Sequence, residues 1–501
     1  MKINLPVIFL NILLTLLLFC SLLACRKESE LLTTSPSSGL RFSADTVYFD
    51  TVFTTRKTVT LRVRVYNEND NAVNISSVYI ANADGKTPFS FYINGRFGPV
   101  QVADVALEGK DSAYVLISAT LDARNQDLPF LVEDSLMFQI QGRNMPQRIR
   151  LTAYGQDAVY YRGEKLACNT TWKKNRPVII MDTVSVPPGC TLTVEAGARV
   201  HGYNGAALLV RGTLLVEGSP TDSVIFQGTR MERYYQNVPG QWFGIWFFDG
   251  SQGNRIENAL IKNAYRALQV GEVGKVNDEK ASLFLLNSRI QNVVDYGLLG
   301  LQAASVIAVN NQFADFGEAA FAGYQGGRYE LWHNTFGESG NNPFQRESPM
   351  VAFTNHFPPN NNWQFGAGLY AKLVNNIVAG GEDDELIFVD RVNNPQAPLD
   401  TFLFGNIIKA KDFNHFIPTP RSKENLKMAT GARFKSPFLY NLSPDSATFM
   451  QANRAGLAFD TMTSRLLFPI SGIRDLLKTD IRGKARILGE RPDAGAWQIS
   501  N

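Results

Sequence analysis

Between Val178 and Gly228 the chain reads VIIMDTVSVPPGCTLTVEAGARVHGYNGAALLVRGTLLVEGSPTDSVIFQG. Short β-branched and aliphatic runs are broken by Pro-Gly, Ala-Gly, Asn-Gly and Arg-Gly turns. Each apolar run spans three to six residues, which suits a strand and is too short for a helix. Helix-period spacing is absent. Strands this short, turned at such regular intervals, predict a right-handed parallel β-helix in which each coil rests on the last.

A four-residue phrase, x-Asn-x-apolar, extends that reading down the chain. It occurs as Glu257-Asn258-Ala259-Leu260, Asn310-Asn311-Gln312-Phe313, His333-Asn334-Thr335-Phe336, Asn375-Asn376-Ile377-Val378 and Gly405-Asn406-Ile407-Ile408. Asn287-Ser288-Arg289-Ile290 fits the same frame with Ser in the Asn column. Successive phrases lie 30, 23, 23, 42 and 30 residues apart, so the short steps match one coil and the 42 implies an insertion. Asn tolerates the left-handed backbone of a tight corner, and stacked Asn amides can bond from coil to coil. The apolar residue two places on should point into the core. A structural role is expected for these asparagines, not a catalytic one.

The start of the chain fits export. Met1 to Ala24 has a basic Lys2 and an apolar core, and it ends Leu22-Leu23-Ala24-Cys25. That ending resembles the bacterial lipobox, and the resemblance implies lipidation of Cys25 and anchoring at the outer membrane, with the periplasmic or surface-facing side undecided. Residues 25–39 read as a polar tether, and Arg26 to Glu30 loosely resembles the surface-export signals of Bacteroidota lipoproteins. From Leu40 to about Gly155 the period is two: Val59, Leu61, Val63 and Val65 alternate with polar residues, as do Val115 and Ile117, Leu136, Phe138 and Ile140, and Ile149, Leu151 and Ala153. Seven or so short strands with turns at Asn69-Asp70, Asp84-Gly85, Asn94-Gly95 and Gly109-Lys110 predict an immunoglobulin-like sandwich over 40–155. The simplest role for it is a spacer. A ligand-binding sandwich is the alternative.

The coils TLTVEAGARV, LLVRGTLLVEG and SVIFQG resemble those that open bacterial β-helix repeat proteins. Trp242-Phe243-Gly244-Ile245 resembles the W-x-G-I that begins a coil in such proteins and is expected to be structural. The β-helix is expected over 156–412. In 413–501, Asp480-Ile-Arg-Gly483 with Arg486 and Pro492-Asp493-Ala494-Gly495-Ala496-Trp497 resemble the closing segment of the same proteins. A solenoid must hide the open edge of its last coil, so this segment is expected to be a cap. The resemblance spans roughly Val178 to Trp497. It implies architecture and says little of activity.

Function has to be sought in departures from the coil. The long gap after Phe336 carries Phe357 and Trp363, and a second excursion, Arg230 to Gln241, carries Tyr234 and Tyr235. Such rings could stack on the apolar faces of sugars, or could pack the loops onto the coil. If the β-helix binds a glycan, at least two of these four rings are expected to be exposed on the same side of the solenoid. Glu382-Asp383-Asp384-Glu385 is the densest acid cluster. It could be a solvated turn, a calcium site, or the paired carboxylates of a polysaccharide hydrolase. Polygalacturonase-type β-helices also need a Gly-His-Gly and an Arg-x-Lys, and the chain has neither. Lys372, Arg391 and Lys409 are candidate bases for lyase chemistry without a supporting motif. The four histidines lack metal-ligand spacing, and no cofactor is required by any motif. Cys168 and Cys190 either pair or stay as buried thiols. A net charge of +3 gives no case for nucleic acid. Two functions therefore stand: a lipid-anchored envelope protein that binds a glycan or surface partner through the solenoid side, or a β-helix lyase or glycoside hydrolase.

Overall fold

The computed structural model describes residues 32–33, 39–82, 86–273, 280–302, 304–338, 343–355, 368–389, 399–411, 422–427, 473–486 and 492–497. The signal segment, Cys25, Phe357, Trp363, Arg391 and most of 413–501 lie outside the described residues. The chain forms two compact units, Met1–Gln156 and Asp157–Asn501.

The first unit is an immunoglobulin-like sandwich. One sheet holds Thr46–Phe53, Ala72–Ile80, Gln101–Leu107, Phe130–Ile140 and Gln147–Gln156; the other holds Leu40–Phe42, Leu61–Asn67, Phe89–Ile93, Arg96–Gly98 and Ser112–Ala119. Alternation does the work here. Val63, Val65, Val115 and Ile117 of one sheet join Leu136, Phe138, Ile149 and Leu151 of the other in a single buried cluster. Asn94 and Gly95 both have positive φ, 49° and 76°, so the Ile93–Arg96 hairpin closes through a two-residue turn matched to strand twist.

The second unit is a parallel β-helix. Three parallel sheets run along it, and each coil visits them in turn. The first sheet runs from Val159–Tyr161 to Leu426–Lys427, the second from Val184–Val186 to Leu386–Val389, and the third from Thr170–Trp172 to Ser422–Lys423. Stacking is therefore one-dimensional, and like side chains fall in columns. Val200, Phe226, Ile261, Ile290, Phe313 and Phe336 form one such inward column in strict register. Phe313 and Phe336 stack at 4.8 Å, which is the spacing of neighbouring strands. The pairing continues through 422–427, past the expected end at 412. Cys168 and Cys190 are joined by a disulfide, with their Cα atoms 4.6 Å apart.

Where the third sheet turns into the first, the asparagines form a continuous ladder. Asn311, Asn334 and Asn376 each donate a backbone N–H and an Nδ2–H to the Oδ1 of the next asparagine, at 2.8–3.0 Å. Asn406 does the same to Asn425 at 3.1 and 3.0 Å, extending the ladder by a rung that lay in the expected cap. The remaining Nδ2–H of each goes to a backbone carbonyl, Leu285 for Asn311 and Ala308 for Asn334. Every amide is thus satisfied without water.

Two details of the expected register change. The left-handed residue is the one before the ladder: Asn287, Asn310, His333, Asn375, Gly405 and Glu424 have φ between 48° and 62°. The ladder asparagines keep ordinary backbone. Asn258 belongs to the left-handed column (φ 47°), so the first phrase is shifted by one and Ala259 stands in the ladder column. There the Ala259 N–H donates to Ser288 Oγ at 3.0 Å.

The C-terminal segment caps the solenoid along its flank. Its described parts sit over the left-handed column: Arg486 donates to Asn310 Oδ1 (2.8 Å) and Gly495 O (2.9 Å), and Gly495 N–H donates to Asn375 O (2.7 Å). Asp480 accepts from the Arg482 side chain and from the backbone of Arg482 and Lys484, which shapes the turn. Leu477 joins Leu286, Val309, Trp332, Val374 and Phe404 in a buried cluster on the outside of the third sheet. Those outward residues are as apolar as the inward ones, so both faces of these strands need covering. A flank cover meets that need; an end plug would leave it unmet.

Candidate functional site

From Asn287 onward the ladder corner takes two residues in every coil, whereas the corner between the first and second sheets varies in length along the whole solenoid. It consists of 203–206 in one coil, 229–243 in the next, 263–267 after that, and later 338–350 and 379–385. The 229–243 excursion is tied down from below. Asn263 Nδ2 donates to Gln236 O and Val238 O, Lys262 Nζ to Gln236 O, and Gln241 Nε2 to Tyr235 O and Val238 O, all at 2.7–3.1 Å. Tyr235 is half-buried under Arg230, whose guanidinium lies 3.7 Å from the ring. Tyr234 is 81% exposed and meets Tyr235 edge-on at 5.1 Å.

Where that excursion enters the second sheet, three rings form a ledge. Phe243 lies 6.1 Å from Trp246 and 6.1 Å from Tyr265, which stands on the following coil. Phe243 and Tyr265 are exposed, as is Tyr203 on the preceding coil, and Trp246 is half-buried. Local sequence explains the geometry. In Trp242-Phe243-Gly244-Ile245-Trp246-Phe247 the buried Trp242, Ile245 and Phe247 hold the coil, leaving Phe243 and Trp246 on the outside. Gly244 has φ 110°, and a Cβ there would strike the Arg266 carbonyl, so no other residue fits. This motif is structural, yet it also places the ledge. An alternation count across it, with aromatics on both faces, was the available signal.

A polar network flanks the rings. Arg266 donates to Asp295 at 2.6 and 3.2 Å and to Gln269 Oε1 at 2.6 Å, and lies 5.6 Å from the Tyr296 ring. Tyr296 and Tyr324 meet edge-on at 6.0 Å. Burial, the largest cause, raises both phenols above their usual range, so they stay neutral hydrogen-bonding groups. Aromatic faces beside fixed donors and acceptors suit a neutral sugar.

Phe357 and Trp363 lie outside the described residues, and the described acids and lysines expected at the site stand apart from these rings. The segment with Phe357 and Trp363 links Val351–Thr354 of the second sheet to Leu369–Val374 of the third, so it leaves from a different corner than Tyr234 and Tyr235.

Of the acids at 382–385, the carboxylates of Glu385, Asp383 and Asp384 have partners. Glu385 is fully buried, accepting from Arg346 (2.9 Å), Met350 N–H (2.9 Å) and Glu382 N–H (2.8 Å). Arg346 also pairs with Glu338 at 2.6 Å, which pins the 338–350 excursion to the turn. Asp383 bonds Lys411 at 3.0 Å, and that bond lowers its pKa; Asp384 accepts from Lys411 N–H. Lys409 Nζ donates to Gly380 O and Gly381 O, and Lys372 is buried beside Trp332. Among the described residues no three His, Cys, Asp or Glu side chains converge as a metal site would require.

Comparison with protein-family models finds no match, and comparison with curated proteins finds none either. Among solved structures, the catalytic unit of a GH87 alpha-1,3-glucanase from Streptomyces thermodiastaticus is 13% identical over 70% of this chain and 68% of its own, with a TM-score of 0.21. PapD-like domain 7 of human CEP192 is 12% identical over 26% of this chain and 94% of its own, with a TM-score of 0.18. A family 123 glycoside hydrolase from Clostridium perfringens is 9% identical over 26% of this chain, which spans only 30% of that protein, with a TM-score of 0.18. Likenesses of this size carry no activity from one protein to the other.

Proposed function

We propose that this chain is an exported lipoprotein, acylated at Cys25 and held at the outer membrane, whose β-helix binds a neutral glycan on the ledge of Phe243, Trp246 and Tyr265. The observation that carries the reading is the ledge itself: neighbouring aromatic faces on adjacent coils, exposed beside the Arg266–Asp295–Gln269 network. Rings held by a stacked scaffold are ordered before binding, so little entropy is lost when a sugar stacks on them. Arg266 is neutralised by Asp295 and orients rather than attracts charge. Tyr234, on the excursion that leads into the ledge, supplies a further exposed ring.

Cleavage is the second reading. An acid–base pair needs two carboxylates facing one substrate, whereas Glu385 is buried and held by Arg346, and Asp383 makes an exposed pair with Lys411. Glu385 therefore supports a structural role over a catalytic one.

A glycan array with the full chain in detergent, followed by product analysis on each hit, tests the proposal. Retention without cleavage, lost on Phe243→Ala, is the expected result. Cleaved products would replace binding with catalysis, and unchanged retention in the variant would move the site elsewhere. The anchor is tested separately: Cys25→Ser is expected to abolish acylation and partition into the detergent phase, and an acylated variant would refute the lipobox assignment.

A further inference from the structure

The sandwich has an outer face that its core does not explain. On the sheet of Leu61–Asn67 and Ser112–Ala119, arginines and tyrosines alternate in an unbroken stack. The Arg41 guanidinium lies 3.8 Å from the Tyr66 ring and Arg64 lies 5.9 Å from it. Arg64 is also 4.4 Å from the Tyr114 ring, and Arg62 is 4.7 Å from the same ring. From Arg62 the face continues across directly paired strands to Leu116, Tyr92 and Phe97. These three and Tyr114 are between 38% and 50% exposed.

The stack is charged in one sense only. Arg41 pairs with Glu68, but neither Arg62 nor Arg64 has a carboxylate partner among the described residues. A guanidinium lying on a ring keeps its in-plane N–H edge free, and that edge fits a carboxylate in bidentate fashion. Stacking also fixes each guanidinium in place, which lowers the entropy lost on binding. The paired strands set Arg62, Leu116, Tyr92 and Phe97 in a straight row, about 4.8 Å per step. Positive edges at one end and ring faces at the other complement a linear chain carrying carboxylates on rings with apolar CH faces.

We propose that this face of the sandwich is a second binding surface, for an acidic polysaccharide bearing carboxylate groups. It is separate from the neutral-glycan ledge and does not depend on it. In this arrangement Arg62 and Arg64 take carboxylates, and Tyr92 and Phe97 take sugar faces.

The test is affinity electrophoresis of the full chain, in detergent, through gels containing polygalacturonate, its methyl ester or dextran. Retardation by polygalacturonate alone is expected, weakening as salt rises. Arg62→Gln/Arg64→Gln should reduce affinity at least about tenfold with unchanged melting, while Arg62→Lys/Arg64→Lys should recover only part, because lysine keeps the charge and loses the planar fork. Trp246→Ala should leave this retardation as it is, which separates the two surfaces. The proposal is overturned by no retardation in polygalacturonate, by equal retardation in dextran, or by a double Gln variant that behaves as the parent. Binding to phosphatidylglycerol vesicles without retardation in polygalacturonate would also overturn it, in favour of a membrane contact.

Discussion

Two of the three corners of the β-helix, the ladder corner from Asn287 onward and the corner between the first and second sheets, face the same steric problem and solve it in opposite ways. At the ladder corner asparagine repeats, each ladder amide finds a partner on the next coil, and the described parts of the C-terminal segment cover the outside at Asn310 and Asn375. At the corner between the first and second sheets, the chain length changes from coil to coil and aromatic rings reach solvent. A uniform corner cannot admit an insertion without breaking its ladder. A corner without a ladder can. On the function proposed above, the first of these corners carries stability and the second is where a glycan would bind.

The largest effect should come from cutting the ladder. Asn334→Leu leaves the Asn311 N–H and Nδ2 and the Ala308 carbonyl unpaired inside the corner, and is expected to cost about 3 kcal/mol in denaturant unfolding. No change would mean that the ladder is ornamental and the comparison false.

Acid should act at the corner of the 229–243 excursion from beneath. His201 is buried, with Nδ1 3.1 Å from the Gly228 carbonyl where the excursion begins, and burial lowers its pKa from 6.5 to about 4. The unfolded chain therefore binds the proton first as pH falls. Stability from this group is whole above pH 6.5 and is lost progressively down to about pH 4, a total of about 3 kcal/mol. His333, buried in the left-handed column, is lowered in the same sense. Melting followed against pH checks this, and His201→Gln should flatten the dependence.

A smaller loss is expected at the flank cover. Gly495 has φ 82°, and a Cβ there would press on Thr335 Oγ1 and Ile377, so Gly495→Ala should cost about 2 kcal/mol. Unfolding and protease sensitivity of the C-terminal segment would read it. The smallest stability effect belongs to the ledge: Phe243→Ala should cost under about 1 kcal/mol, because the ring is 42% exposed, while weakening glycan retention about tenfold. A large drop in melting with retention intact would reverse the assignment of the two corners.

Much of this was legible in the chain. Period-two alternation identifies the inward residues of the sandwich, Val63, Val65, Val115 and Ile117 among them. The x-Asn-x-apolar phrase locates the ladder. Its register slipped at Asn258 because asparagine suits both neighbouring columns, one for its tolerance of positive φ and one for its amide. Asn310-Asn311 and Asn375-Asn376 fill both columns at once, so type alone cannot separate them. Asn425 escaped notice because it follows Asn406 by only 19 residues, where the coil rhythm fades. The ledge was hidden in a motif already explained by packing.

By itself, then, the sequence determined the local geometry: short strands, tight turns, a repeated corner, and a glycine at 244 where only a glycine fits. These depend on φ, ψ and the facing of adjacent residues, which a few neighbours settle. Only the tertiary structure decided which residues meet across coils. It joined Arg486 to Asn310, 176 positions apart, paired Arg346 with Glu385 so that an acid cluster became a strut, and put Tyr265 beside Phe243. Such contacts depend on how many residues each excursion adds between stacked strands, and that length leaves no periodic mark in the chain.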